Sequence, residues 1–158
     1  MPRRCWQPLN ESVEVLESMV KARTDRQVFL QSSDSPQSTF YIHELALELE
    51  VGTAAIMYEQ VKRLAFMCDW NRMSLRLIPS SVHGPALPGL PVALLTFAKG
   101  VSSLAYADVD VSMIFTERPQ EIEYYRRKFA MLDVIALDEN QTREIFEERA
   151  NVWECASD

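Results

Sequence analysis

The stretch SLAYADVDVSMIFTE, residues 103–117, decides the fold class of this chain. Its polar and apolar residues alternate, which is the two-residue period of a β-strand with one buried face. Tyr106, Asp108 and Asp110 fall on one side of such a strand, and the apolar residues between them fall on the other. We therefore predict one long strand over residues 103–116, with a polar face that carries a phenol and two carboxylates.

Three further segments have strand character, namely residues 40–45, 73–79 and 92–98. The last two of these and the long strand follow one another with no helical pattern between them, so we predict antiparallel neighbours. Continued through the long strand, the alternation places Met113 and Phe115 on the face opposite Tyr106.

Helical periodicity predicts four helices, over residues 10–31, 53–68, 119–137 and 139–154. Asn10, Thr53 and Asp138 stand where they can cap three of these helices, and Pro119 suits the first turn of another. The residues expected to face the core include Val13 and Val20, Ile56 and Val61, and Phe146 and Val152. The order of elements predicts an α+β fold, with an antiparallel sheet of about four strands packed against helices. No linker or repeat divides the 158 residues, so we predict a single domain over 1–158.

Charge and composition exclude several functions. A net charge of −7 would repel a phosphate backbone, so we expect no direct nucleic acid binding. Apolar runs are too short to cross a membrane, and no export leader is visible. The three cysteines lie far apart without metal-ligand spacing, which indicates reduced thiols in the cytoplasm and no metal site. Phosphate-binding and dinucleotide motifs are also lacking, so we expect no cofactor.

Several local strings stand together in an informative order. They are ARTDRQ, HELALELEVG, MYEQVKRL, LRLIP, LPVALLTF and YYRRKFAMLDVIAL, followed by DENQTREIF. In this order and spacing, residues 23–153 resemble the C-terminal, non-DNA-binding domain of actinobacterial helix-turn-helix regulators of the XRE and WhiJ-like type. That domain is one of unknown function, and the resemblance implies an effector-like or antitoxin-like module.

The chain also departs from that family. There the domain follows a helix-turn-helix, whereas few residues precede the match here, so we expect a stand-alone domain without a DNA-binding head. Glu48 and Leu49 stand where the family tends to carry arginines. The local charge is therefore inverted.

Tyr106, Asp108 and Asp110 form the first candidate site. Alternate residues on one strand face lie roughly 7 Å apart, so two carboxylates there can interact and raise one pKa where water is excluded. The result would be an acid/base pair. The alternative interpretation is a solvated strand face without chemistry.

A second group of candidates surrounds the first strand. His43 and Glu44 are neighbours in sequence, so on a strand their side chains would point to opposite faces. Glu44 shares its face with apolar residues, and Arg23, Arg26 or Arg76 could pair with it structurally. Tyr41 and Arg76 are further candidates for ligand contact, as is His83 on a proline- and glycine-rich loop.

Two functions fit these observations. The first is a regulator-type module that binds a small molecule or a protein partner, with a second copy of the chain as one further partner. The alternative is a cofactor-independent cyclase, isomerase or lyase of natural-product biosynthesis, built on the same fold. In that enzyme, Asp108 and Asp110 would act as base and acid, and Tyr106 or His43 would donate a proton. Arg76 would hold an anionic group.

Overall fold

The computed structural model describes residues 12–32, 34–82, 91–109 and 112–156. Helices and strands alternate irregularly along this part of the chain, and the sheets pack against helices, which confirms the α+β fold. The elements are α1 (Val13–Gln31), β1 (Ser38–His43), a 3₁₀ helix (Glu44–Leu47), α2 (Ala54–Met67), β2 (Met73–Ile78), β3 (Val92–Leu95), β4 (Leu104–Val109), β5 (Ser112–Thr116), α3 (Pro119–Ile135) and α4 (Glu139–Cys155).

The chain divides into two compact units. The first combines Met1–Leu77 with Asp138–Asp158, and the second is Ile78–Leu137. The expectation of a single domain stays a prediction. No helix in the described part of the chain is both long and apolar enough to cross a membrane.

The first unit is built on the packing of α2 against α4. Thr53 caps α2 as predicted, because its hydroxyl accepts the N–H of Ile56 at 3.3 Å. Asp138 and Gln141 form a capping box at the start of α4. The buried residues of this unit, among those that the structure describes, are Ser35, Leu47, Met57, Val61, Ala65, Met73, Leu75, Leu77, Thr142, Phe146 and Ala150.

A buried hydroxyl joins α4 to β2. Thr142 is fully buried, and its Oγ1 accepts the backbone N–H of Leu77 at 3.0 Å. The contact satisfies a strand donor that would otherwise be left without a partner in the core. On β2, Met73, Leu75 and Leu77 are buried while Ser74 and Arg76 are half-buried, so one face of the strand packs into the core, and Ile78 at its end is buried as well.

The prediction for α1 was partly wrong. The helix begins at Val13 after the cap residue Ser12, and the proposed cap Asn10 lies outside the described residues. Val13 and Val20 are exposed rather than turned to a core. The physical reason is that the apolar residues of α1 are spread around the helix axis, so they form no single stripe.

The second unit is a three-stranded antiparallel sheet, in the order β3-β4-β5, with α3 packed against β3 and β4. The predicted single strand over 103–116 is wrong, because β4 and β5 form a hairpin in which Tyr106 pairs with Phe115. The predicted sheet of about four strands is also two sheets in the described residues, since β1 and β2 pair separately.

Some element boundaries and inward positions also differ from the prediction. The strand expected over 40–45 ends at His43, and Glu44 begins the 3₁₀ helix. β3 ends at Leu95, short of residue 98. Ile56 and Val152 were expected in the core but are exposed. Each lies beside the buried stripe of its helix, where the periodicity of the sequence alone does not determine which side chains face the core.

Candidate functional site

A cleft of about 360 Å³ lies between α2 and α4 in the first unit. This volume is within the range of about 300–1,000 Å³ that is typical of sites for small organic ligands. Its lining includes Tyr58, Lys62 and Phe66 from α2, and Arg143, Glu147 and Asn151 from α4.

The lining residues follow from helical spacing. On each helix they recur every four residues, so they form one row beside the row that packs into the core. The floor consists of Ala65 and Ala150, which are both buried. Because these side chains end at Cβ, the two helices leave space between their outer rows.

Lys62 is held on the α2 wall by its neighbour one turn earlier. Its Nζ donates to the Tyr58 hydroxyl at 2.8 Å and lies 4.9 Å from the centroid of that ring. The hydrogen bond to Tyr58 raises the pKa of Lys62 above its ordinary value. The side chain is therefore positively charged at neutral pH, and the hydrogen bond to Tyr58 holds its ammonium group in place on the α2 wall.

Glu147 stands on the opposite wall, on α4. Within the part of the chain that the structure describes, neither Lys62 nor Glu147 forms an ion pair. Besides the Arg143–Asp69 pair, the cleft thus presents a cation and an anion from two different helices, on either side of the alanine floor. Charges of opposite sign that do not neutralise each other remain able to bind a ligand's charged groups.

Arg143 closes one end of the cleft. One of its terminal nitrogens, Nη2, donates to the Asp69 carboxylate, and this hydrogen bond raises the pKa of Arg143. Its Nε atom is buried and makes no hydrogen bond to the described residues. The pair joins the end of α2 to the start of α4 and thereby bounds the cleft on that side.

A second charged cluster, which we call the Arg149 clasp, comprises Arg149, Glu44 and Glu48. Arg149 Nη2 donates to Glu44 at 2.7 Å and to Glu48 at 3.0 Å, and the bond to Glu44 raises the pKa of Arg149. The indole N–H of Trp153 donates to the carbonyl of Leu47 at 2.9 Å. Together these bonds attach the 3₁₀ helix to α4.

The clasp provides Glu44 with an ion pair. The sequence predicted a structural ion pair for this carboxylate with Arg23, Arg26 or Arg76, and the structure shows one with Arg149, which the prediction did not name. Sequence reasoning missed Arg149, although it lies one helical turn before Trp153 on the inward side of α4. That spacing was the available signal.

The structure does not assemble the predicted catalytic residues into a described site. Asp110 lies outside the described residues, and for Asp108 only the backbone is described, paired with Met113. Tyr106 is half-buried, with its ring 6.0 Å from that of Phe115. His43 caps the 3₁₀ helix, since its Nδ1 accepts the N–H of Leu45 at 3.3 Å.

The remaining predicted ligand residues also lie elsewhere. Tyr41 and Arg76 are half-buried on β1 and β2, and both interact with other parts of the protein. His83 lies outside the described residues. Of the predicted site residues that the structure describes, none lines the cleft. The cleft residues could have been found as polar rows at four-residue spacing that flank buried alanines.

The described residues include no group of three or more His, Cys, Asp or Glu arranged to hold a metal ion. The groups in the cleft that can bind a ligand are its hydrogen-bonding and charged side chains. These are one ammonium, one carboxylate, one amide and the Arg143–Asp69 pair, with the apolar faces of Tyr58 and Phe66 beside them.

Comparison with known proteins gives one result on the family. The sequence profile described as "Domain of unknown function (DUF5753)" matches residues 3–148. The match begins about twenty residues before residue 23, where the resemblance was expected to start, so the N-terminal segment is part of the family pattern. No curated protein and no solved structure matches the chain.

Proposed function

This chain belongs to the DUF5753 family of domains of unknown function, and from that premise we propose that it is a ligand-binding module whose site is the cleft between α2 and α4. The observation that carries the proposal is the placement of Lys62 and Glu147. They face one cleft from two helices, and neither forms an ion pair with the described residues. Charged groups held in this way bind complementary charges on a ligand.

The chemistry of the cleft favours a small zwitterion with an apolar body. A ligand carboxylate would accept from the Lys62 ammonium, and a ligand ammonium would donate to Glu147. The apolar part would lie over Ala65 and Ala150, beside the ring of Phe66. A ligand with only one charge would leave the other wall without a partner.

Regulation is the context that we propose for this binding. The resemblance to the C-terminal domains of XRE and WhiJ-like regulators supports an effector-binding role in actinobacterial specialised metabolism. The dispersed cysteines support a cytoplasmic location. Under this proposal, ligand occupancy would be the signal, and its consequence would pass to a partner rather than directly to DNA.

The enzyme alternative rests on Asp108, Asp110, Tyr106 and His43. His43 caps the 3₁₀ helix and Tyr106 contacts Phe115, and both contacts are of kinds that stabilise structure. The binding module rests instead on described side chains that line one cleft. It is therefore the function that the geometry supports better.

Calorimetric titration with three probes of matched shape tests the proposal. L-phenylalanine carries both charges, 3-phenylpropionate carries only the carboxylate, and phenethylamine carries only the ammonium. We expect L-phenylalanine to bind several-fold more tightly than either analogue, because only L-phenylalanine can pair with both Lys62 and Glu147, and ion pairs between exposed groups are modest.

Variants of the cleft complete the test. Lys62→Met should remove the preference for a carboxylate, and Glu147→Gln should remove the preference for an ammonium. Lys99→Met is the matched control, because Lys99 is exposed and lies in the second unit. Equal binding of all three probes, or binding that Lys62→Met and Glu147→Gln leave unchanged, would contradict the proposal.

A further inference from the structure

β5 is an edge strand of the three-stranded sheet. The strand order is β3-β4-β5, so among the described strands β5 pairs on one side only, with β4. An edge strand presents unpaired backbone donors and acceptors, and it can accept another strand unless it is protected. Charged side chains or a proline would provide that protection, and Ser112–Thr116 contains neither.

The centre of β5 is apolar and exposed on both faces of the sheet. Met113, Ile114 and Phe115 are 57%, 57% and 58% exposed. Because Tyr106 pairs with Phe115 and Asp108 pairs with Met113, the side chains of Met113 and Phe115 lie on the face of Tyr106, whereas Ile114 lies on the opposite face. Three consecutive exposed apolar residues on an open edge form a surface that favours association.

We propose that a second copy of this chain docks along β5 in antiparallel orientation, centred on Ile114. The two sheets would then form one continuous sheet of six strands. Antiparallel pairing of a strand with itself is related by a two-fold axis, so the contact is closed and yields a dimer rather than a fibre. A surface that is self-complementary in this way fits a second copy.

The sequence of β5 supports this register. With Ile114 opposite Ile114 of the second copy, each Met113 stands opposite Phe115 of the other strand. Apolar cross-strand pairs stabilise a sheet, and a thioether beside an aromatic ring is a favourable contact. No residue from Met113 to Phe115 meets a polar one in this register.

Charge also favours β5 as the contact between two copies. The chain carries a net charge of −7, so two copies repel each other over most of their surface. Ser112–Thr116 carries no charged residue, and self-pairing over these residues therefore places no like charges opposite each other. The contact along this strand therefore adds no like-charge repulsion of its own.

Sedimentation velocity of the full chain at micromolar concentrations tests the proposal. We expect the wild-type chain to form a dimer. Ile114→Lys and Ile114→Glu should each weaken it by roughly tenfold or more, because like charges would then stand directly opposite each other. An equimolar mixture of the two variants should dimerise again, because Lys and Glu would then be cross-strand partners.

The control is Val134→Lys, which places a charge on an equally apolar and more exposed residue of α3 in the same unit, and should leave the dimer intact. Circular dichroism of each variant confirms that the fold persists. A monomeric wild type, a dimer that survives Ile114→Lys, or a failure of the mixture to restore association would each overturn the proposal.

Discussion

A single guanidinium, that of Arg149, serves two carboxylates of one short helix. The side chain of Glu44 is only 15% exposed and that of Arg149 is 31% exposed, so this pair lies in a partly desolvated position. Removing the cation would leave Glu44 without this partner where water cannot fully replace it.

At the residue scale, we predict that Arg149→Met lowers the free energy of unfolding by about 1–3 kcal/mol, the usual effect of losing a hydrogen bond to a charged group. Urea denaturation monitored by circular dichroism measures it. Arg127→Met is the matched control, because Arg127 pairs with Glu123 on the exposed face of α3 and should cost less than about 1 kcal/mol. Equal effects of the two substitutions would contradict a structural role for the clasp.

Glu44 also shows which side-chain contacts can be predicted from a sequence. That Glu44 needs a cation could be predicted from its apolar neighbours in FYIHEL. The pairing with Arg149 could not, because Arg149 lies 105 positions further along the chain, and its spacing on α4 indicates only which side of that helix it occupies. The cleft was missed for a related reason, since each helix shows one half of it and only packing brings Lys62 and Glu147 to one space.

At the scale of elements, helices were predicted more accurately than sheets. α2 and α4 begin after the predicted caps Thr53 and Asp138, and α3 begins at Pro119, the residue predicted for its first turn, because these residues act on the nearest backbone groups. The hairpin of β4 and β5 was read as one strand, because polar and apolar residues continue to alternate through it. Because Val109 pairs with Ser112, odd-numbered residues of β4 share a face with even-numbered residues of β5. The alternation of polar and apolar residues in the sequence does not indicate this change.

The attachment of α4 to β2 gives the element-scale prediction. Thr142→Val keeps the volume of the buried side chain but leaves the N–H of Leu77 without its acceptor, so we expect a loss of about 1–3 kcal/mol in unfolding free energy. Thr142→Ser keeps the hydroxyl and loses one methyl group, at about 1 kcal/mol. Hydrogen exchange of the Leu77 amide discriminates between them. It should accelerate in Thr142→Val relative to Thr142→Ser, and identical exchange would show that the hydroxyl does not protect this amide.

At the scale of the whole molecule, the two proposals use different units and different forces. The cleft belongs to the first unit and would bind its ligand through charge. β5 belongs to the second unit and would bind a second copy through apolar contact, against the mutual repulsion of two chains with a net charge of −7. Ionic strength therefore acts on the two processes in opposite directions.

We predict that raising sodium chloride from about 0.05 M to about 0.5 M tightens the wild-type dimer, because the screening length falls from more than about 10 Å to less than about 8 Å and the repulsion between copies weakens. The apolar contact itself has no ion pair for salt to disrupt. Sedimentation velocity at matched protein concentrations measures the change. The mixed dimer of Ile114→Lys with Ile114→Glu is the internal comparison. Salt also screens its engineered ion pair, so its affinity should increase less with salt than the affinity of the wild-type dimer. A wild-type dimer that loosens as salt rises would place the interface on charged surface and away from β5.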